Sequence, residues 1–294
     1  MHFRNILALL RPFTLLAPLI VSSCVMIASF VYNHNTDTSH WSLLITIGFA
    51  SVSLALLNGA SNALNQATDV HEDRLSKPYR PIPKGLIRPR DAYVIAGIFY
   101  LIALLISCFV HAVFTLFIVL IAVFTITYSI PPRMKRILFV NQLWVALPRG
   151  FLGILASWSV FGNPFHHVPL AIGGIAALFL FGGTTTKDLL DAKADKQTGI
   201  HTLINKVGVK QTALIAGACM TSAFLMILPF IILGILAWYL LPLLLLIILA
   251  MYIAMVMTHD HKNQRGENTA SWRMMYTTYF LFALGFALLT ILFS

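Results

Sequence analysis

The chain has very little charge for its length, and this scarcity excludes most classes of protein. Of 294 residues, 10% are charged and 59% are hydrophobic, and the mean hydropathy is +0.84. A soluble domain carries about 25% charged residues, so this composition cannot supply the polar surface of a globule in water. Cysteine is also scarce: Cys24, Cys108 and Cys219 lie in apolar runs without a CxxC pair, which argues against a disulfide framework or a zinc site. Disordered, secreted and nucleic-acid-binding classes are excluded, and we expect no nucleic-acid partner.

What the chain has instead is a series of long apolar runs. Windows of about 20 apolar residues predict an all-α, polytopic membrane protein. The first run continues past Cys24 to Tyr32, which is too long for the core of a signal peptide, so we expect it to form a span. The nine predicted spans are 12–32, 42–64, 91–110, 112–130, 143–162, 168–187, 212–236, 238–257 and 272–293.

The basic residues lie on one side of this topology. All Lys and Arg except Arg149 precede the first span or lie in or beside the loops that follow the even-numbered spans. The positive-inside rule therefore places the N-terminus and those loops in the cytoplasm and the C-terminus on the far side. The predicted location is an integral, multi-pass membrane protein, in the inner membrane if the source is bacterial. Much of the net charge of +10 is explained by topology.

The acidic residues form two tight groups in the predicted cytoplasmic loops. The first acidic motif is Asn65, Asp69 and Asp73, spaced i, i+4 and i+8 after the second span. If that helix continues past Asn65, successive side chains rotate by only about 40° and stay on one face. The spacing of the second motif, i, i+3 and i+7, also gives a single face. The second acidic motif is Asp188, Asp191 and Asp195.

This pattern of carboxylates indicates a bound cation. Carboxylates that share one face beside hydrocarbon repel one another unless a cation joins them. Oxygen ligands without His or Cys suit Mg²⁺, which usually completes its shell with phosphate oxygens and water. The predicted ligand is a Mg²⁺-diphosphate. A solvated loop face with local ion pairs is an equal alternative for either motif alone, but two such motifs in corresponding loops favour a site.

Basic residues after the fourth span fit the same anion. The span ends in Tyr128 and Ser129, and the Pro131–Pro132 pair that follows is predicted to stop the helix. Three cations come next, and arginine is well suited to bidentate recognition of phosphate. A positive-inside anchor is the alternative, and it is the interpretation we favour for the last of them. The three cations are Arg133, Lys135 and Arg136.

In these stretches the chain resembles the UbiA superfamily of intramembrane prenyltransferases. The resemblance covers essentially all of residues 1–294, which it implies form one domain: nine transmembrane helices around a central cavity, with a cytoplasmic cap and an opening to membrane lipid. Members move a prenyl group from a polyprenyl diphosphate to a lipophilic acceptor, an aromatic quinone precursor or a prenyl-lipid alcohol. The motifs in family order are Asn65-x3-Asp69-x3-Asp73, Lys77-Pro-Tyr-Arg80-Pro-Ile-Pro83, Tyr128-Ser129-x-Pro131-Pro132-x2-Lys135 and Asp188-x2-Asp191-x3-Asp195.

The resemblance also implies roles for individual residues. The acidic motifs would hold two Mg²⁺ ions on the diphosphate. The implied metal ligands are Asn65, Asp69, Asp73, Asp188, Asp191 and Asp195, of which Asp69, Asp73, Asp191 and Asp195 are implied to be catalytic. The implied substrate-binding residues are Asn65, Arg80, Lys135, Tyr128, Ser129 and Arg11. Among these, the three basic residues would neutralise the departing diphosphate, and Tyr128 and Ser129 would line the pocket.

Departures from the family pattern leave the acceptor open. Where many members have Asn-Asp and an aromatic residue, this chain has Asn65-Gln66-Ala67. The stretch from Lys77 is closer to chlorophyll-synthase-like and geranylgeranylglyceryl-phosphate-type members. A phosphatidyltransferase-like lipid enzyme and a cation transporter are the alternative classes. The first would place Gly directly after a clustered Asp, which does not occur here, and the second would place charge near the membrane midplane.

Overall fold

The regular structure of the chain is helical throughout the part that the computed structural model describes, which is residues 2–35, 39–260 and 269–294. The α-helices in these ranges are α1 (Phe3–Leu10), α2 (Pro12–Tyr32), α3 (His40–Thr68), α4 (Val70–Ser76), α5 (Pro89–Cys108), α6 (Ala112–Ser129), α7 (Val140–Ala146), α8 (Leu152–Trp158), α9 (His167–Gly183), α10 (Thr185–Thr198), α11 (Leu203–Val207), α12 (Val209–Leu225), α13 (Ile227–Ile232), α14 (Leu246–Asp260) and α15 (Ala270–Phe293). Short 3-10 segments form Met134–Arg136 and Trp238–Leu245, and a π turn forms Leu147–Phe151. The basic residues Lys262 and Arg265 lie outside the described ranges.

Within the described ranges, eight helical segments are long and apolar enough to cross a membrane by length and composition. They agree with eight of the nine predicted spans. These segments are Pro12–Tyr32, His40–Thr68, Pro89–Cys108, Ala112–Ser129, His167–Ala192, Val209–Ile232, Trp238–His259 and Ala270–Phe293.

The remaining predicted span, 143–162, is not one regular helix. It consists of α7, the π turn and α8, which follow one another without a gap from Val140 to Trp158. Pro148 has no backbone N–H, and in the π turn the Leu152 N–H bonds to the Leu147 carbonyl instead of an α-helical partner. The count of nine transmembrane helices stays a prediction.

The first acidic motif lies where α3 passes into α4. Asp69 interrupts the helix with φ −106° and ψ 28°, yet the α-helical hydrogen bonds continue across it. The Asp69 N–H donates to the Asn65 carbonyl at 3.0 Å, and the Asp73 N–H donates to the Asp69 carbonyl at 2.8 Å. The predicted continuation of the helix past Asn65 is confirmed, with a local distortion at Asp69.

The second acidic motif lies on α10, as its spacing predicts. The helix ends at Gly199, whose φ of +72° suits a residue without a side chain, and the Gly199 N–H donates to the Asp195 carbonyl. Upstream, a Cβ atom at Gly182 would lie 2.6 Å from the Ala216 carbonyl oxygen, so glycine allows the end of α9 to lie directly on α12. The close packing at Gly182 fixes the point from which α10 departs.

Three apolar clusters hold the helices together. The largest joins α2, α8, α9, α12, α14 and α15, and it includes Trp158, Phe179, Phe224 and Phe282. A second joins α3 and α6 through Leu57 and Phe117, and a third packs α1 against α3 and α5. As predicted, α6 ends at Ser129, one residue before the Pro131–Pro132 pair. The acidic motifs therefore sit on helix ends that a packed bundle holds in place.

Candidate active site

Both acidic motifs face one polar cavity. All six of their residues line it, although they come from segments about 120 residues apart. Arg11, Arg80, Tyr128 and Lys135 line the same cavity. Ser129 does not: its side chain is fully buried outside the lining, and its hydroxyl has no hydrogen-bond partner among the described residues. The structure thus brings together every predicted site residue except Ser129.

The first acidic motif is neutralised by arginine and lysine. The Arg80 guanidinium donates to both carboxylate oxygens of Asp73, at 2.9 and 2.8 Å, and both residues are about 5% exposed or less. The Lys135 ammonium pairs with Asp69. Burial raises the pKa of Asp73, and the charges of Arg80 and Lys77 oppose that rise. The motif is a set of buried, hydrogen-bonded ion pairs.

The segment after α6 supplies cations that contact the first acidic motif and one cation that lies at its edge. Lys135 is 5% exposed; burial lowers its pKa and the Asp69 carboxylate opposes that shift. Arg133 lies 3.4 Å from Asp69 and donates to the Thr68 carbonyl at 2.9 Å. The side chain of Arg136 is 46% exposed and 3.8 Å from Glu72. Lys135 and Arg133 therefore contact the first motif directly, whereas Arg136 lies at its edge.

The second acidic motif is neutralised less completely. Lys77, from the loop after α4, pairs with Asp191 and so links the two motifs across 114 residues of sequence. Asp188 accepts one long hydrogen bond, 3.5 Å, from the Gln142 amide. Asp195 is 8% exposed, and its side chain has neither an ion pair nor a hydrogen bond within the described ranges. Burial, with the charges of Asp191 and Asp188, raises the pKa of Asp195 to about 8.

The oxygen atoms of the two acidic motifs are suitable ligands for a hard divalent cation. Among the described residues, no three His, Cys, Asp or Glu side chains are grouped closely enough to hold a metal ion. The reason is visible in the ion pairs, since Asp69, Asp73 and Asp191 each point at a basic partner. Burial first, and then the neighbouring Asp191 and Asp188 carboxylates, raise the pKa of Asp195, and a bound Mg²⁺ would offset both effects. A metal ion could bind the Asp69, Asp73 and Asp191 carboxylates only if they left their basic partners.

Arg11 occupies the corner between α1 and α2, with φ 57°. Two amide side chains of α3 hold that corner. Asn62 donates to the Leu10 carbonyl at 2.9 Å, and Gln66 donates to the Leu9 carbonyl at 2.6 Å. The Arg11 guanidinium lies over the ring of Trp272, 5.9 Å from its centroid. Gln66, which departs from the common family pattern, thus positions the backbone that carries Arg11.

A second, mainly apolar cavity adjoins the polar one. The two share lining residues at their boundary, among them Thr125, Arg149 and Tyr276. Its walls come from α2, α3, α6, α9 and α15, and include Ala17, Val21, Leu54, Leu57, Ile121 and Leu180. A ligand with a charged head and a hydrocarbon tail fits this arrangement, because each part meets matching surroundings.

Among the cavity-lining residues that have no role assigned from sequence, four carry groups that could contact a charged or apolar ligand. Lys77 begins a recognised motif and Lys187 directly precedes the second acidic motif. Lys187 donates to the Tyr128 hydroxyl at 2.7 Å, with its ammonium 5.2 Å from the ring centroid. Arg149 was recognisable as the basic residue inside a predicted span. Tyr276 carries no such signal, because one aromatic residue on a membrane helix is usually packed or lipid-facing.

The fold and the site together define a helical membrane protein with an acidic, cation-rich cavity, and comparison with known proteins identifies its family. The UbiA prenyltransferase family profile matches residues 16–284, so the chain belongs to the UbiA prenyltransferase family. It is an integral, multi-pass membrane protein.

Individual relatives agree with this membership. Homogentisate solanesyltransferase of Arabidopsis thaliana is 32% identical over 212 residues, which are 69% of this chain and 54% of that protein. Digeranylgeranylglyceryl phosphate synthase of Methanoregula boonei is 27% identical over 74% of each chain. A solved UbiA homolog from Archaeoglobus fulgidus, bound to GPP and Mg²⁺, has the same fold, with a TM-score of 0.72, 18% identity and 98% of each chain covered. The chain spans about half the length of the plant relative.

Proposed function

We propose that this protein is a Mg²⁺-dependent intramembrane prenyltransferase, which transfers a polyprenyl group from an allylic diphosphate to a lipophilic acceptor and releases diphosphate. One observation carries the proposal: two carboxylate sets from distant helices share a cavity with several cations, and this cavity adjoins an apolar one. Family membership and the named prenyltransferase relatives support it. The family resemblance and the charge pattern favour this function over a phosphatidyltransferase-like enzyme or a cation transporter.

The acidic motifs would hold the metal. Asn65, Asp69 and Asp73 on one side and Asp188, Asp191 and Asp195 on the other offer oxygen ligands only. Bound Mg²⁺ would supply positive charge to the leaving diphosphate as the allylic C–O bond breaks. The other charged residues then act on the same group. The cations that would contact it are Arg11, Lys77, Arg80, Lys135 and Lys187.

The protein's own side chains would lower the barrier by electrostatics and by excluding water. Cations fixed at the diphosphate stabilise negative charge as it develops. Because Lys187 is held by the Tyr128 hydroxyl, it needs little reorganisation when the charge appears. The prenyl chain would lie in the apolar cavity, whose walls keep water away from the carbocation. We propose no contact between the substrate and Ser129.

Product analysis tests this function directly. Purified protein in lipid nanodiscs would receive Mg²⁺ and either farnesyl or geranylgeranyl diphosphate, together with extracted membrane lipids and quinone precursors. We expect diphosphate release and a product whose mass equals one acceptor plus one prenyl group. Mass measurement identifies the donor length and the acceptor together. A folded protein that forms no prenylated product with either donor would contradict the proposal.

We also propose that the N-terminus and both acidic motifs face the cytoplasm. The basic residues beside the motifs support this orientation through the positive-inside rule. With nine spans, a reporter fused after Ser294 would signal from the far side of the membrane. A cytoplasmic signal would instead mean that α7, the π turn and α8 do not cross the membrane as one span.

A further inference from the structure

Arg149 is the basic residue that the topology does not explain. It lies inside the fifth predicted span, where an ionisable side chain is costly and usually marks a functional site. In the structure it stands in the π turn Leu147–Phe151 and lines both the polar and the apolar cavity. Its guanidinium has no ion pair or hydrogen bond within the described part of the chain. Arg149 is half-buried, and a cation inside a predicted span that lines two cavities without a counter-charge is suited to bind an anion.

The backbone that carries Arg149 is firmly held. A Cβ atom at Gly150 would lie 2.7 Å from the backbone of Ala177, so the π turn packs directly against α9 there. On α15, the Tyr279 hydroxyl donates to the Arg149 carbonyl at 3.0 Å. The π turn, a feature frequent at functional sites, thus presents Arg149 from a rigid base.

A count of the formal charges that line the polar cavity shows that Arg149 is the cation without a matching anion. Six acidic residues line this cavity, and Arg149 is one of six basic residues that do so. Two divalent ions and a trianionic diphosphate, bound as the proposed function requires, would bring the other eleven side chains to formal neutrality. Arg149 then carries one uncompensated positive charge at the boundary with the apolar cavity, which matches one further monoanionic group.

We propose that Arg149 binds an anionic group of the acceptor, a carboxylate or a phosphate, and so selects acidic lipophilic acceptors over neutral ones. This inference rests on the proposed function. A guanidinium can bind either group through two parallel hydrogen bonds. Tyr276, which also lines both cavities, would pack against the apolar body of the acceptor. The relatives named for homogentisate, a carboxylate, and for a glyceryl phosphate act on anions of these two kinds.

Binding measurements on donor-loaded protein test the inference without turnover. The wild-type protein and Arg149→Gln and Arg149→Lys would be saturated with Mg²⁺ and geranyl thiolodiphosphate, a donor analogue whose C–S bond resists ionisation. Calorimetry then measures the binding of homogentisate, its neutral methyl ester and geranylgeranylglyceryl phosphate. We expect one of the two anions to bind, with about tenfold or greater weakening in Arg149→Gln and partial recovery in Arg149→Lys. The anion that binds distinguishes a carboxylate acceptor from a phosphate acceptor.

Four results would overturn the inference. The first is that Arg149→Gln binds the anion within about twofold of wild type, and the second is that wild type binds the methyl ester as tightly as homogentisate. The third is that neither anion binds to wild type. The fourth is that Arg149→Gln loses as much affinity for the donor analogue as for the anion. The last result would make Arg149 a diphosphate ligand. If wild-type protein does not bind the donor analogue with Mg²⁺, the proposed function itself fails, so the two failures are distinguishable.

Discussion

The two acidic motifs have the same number of candidate ligands but different surroundings. In the first, Asp69 and Asp73 each have a basic partner from an adjoining loop, Lys135 and Arg80. In the second, only Asp191 has an ion pair among the described residues, and its partner Lys77 comes from the segment that follows the first motif. The first motif is therefore balanced without a metal, whereas the second retains excess negative charge. We infer that the second motif is the stronger attractor for a free cation.

Removal of one carboxylate from either motif should have the largest effect. Asp69→Ala and Asp191→Ala should each lower turnover by about 10³-fold or more, since each would remove a proposed metal ligand at the developing charge. The measurement is diphosphate release with Mg²⁺, a prenyl diphosphate and the identified acceptor. Thermal unfolding should show that both variants remain folded. Undiminished turnover in both folded variants would exclude the proposed metal ligands.

Lys77→Gln tests the link between the motifs. Asp191 would lose its basic partner, so Mg²⁺ should bind the substrate-free protein about tenfold more tightly, equivalent to ~1.4 kcal/mol. The same change removes a cation from the diphosphate and should lower kcat/KM. Lys84→Gln is the matched control, because Lys84 lies in the same loop and is exposed. Mg²⁺ affinity that is unchanged in Lys77→Gln would show that this ion pair does not compete with the metal.

The sequence was sufficient to place the acidic motifs because helical spacing is a local property. The i, i+3 and i+7 pattern of the second motif and the double proline after α6 each act through the backbone. The ion partners could not be predicted, since Lys77–Asp191 depends on how two loops meet after the bundle packs. The spacing of the two acidic motifs thus predicts that they share a site, but it does not predict which cations pair with their carboxylates.

The two clear differences from expectation also have local causes. Ser129 follows Tyr128 on α6, where adjacent residues point about 100° apart, and its side chain is turned into the packed interior while Tyr128 faces the cavity. The fifth predicted span contains Pro148 and Gly150, and the hydrophobic pattern does not reveal that they form a π turn. Hydropathy indicates which residues can lie in lipid, whereas the interruption of the helix at the π turn depends on backbone hydrogen bonds.

Asp195→Asn tests the excess charge of the second motif. The pKa of Asp195 is raised to about 8, well above that of an unfolded-state carboxyl, so this group's contribution to stability is greatest at low pH and is lost as the pH rises toward about 8. In metal-free protein at pH 9, Asp195→Asn should therefore melt higher than wild type by about 2–4 °C. The difference should narrow as the pH falls to 5 and disappear only below about pH 4, where the carboxyl is neutral in the folded and the unfolded protein. A Tm gap that does not depend on pH would contradict the raised pKa of Asp195.

Arg136→Gln should have the smallest effect, because it changes the edge of the first motif and not its interior. The side chain of Arg136 is 46% exposed and 3.8 Å from Glu72, and a long ion pair with one solvent-exposed partner contributes about 0–1 kcal/mol. We expect kcat/KM to fall by less than about twofold, whereas Lys135→Gln, one residue away and buried against Asp69, should reduce it by about 10²-fold. Equal losses in the two variants would place Arg136 among the diphosphate contacts and would make the first motif the more positive of the two.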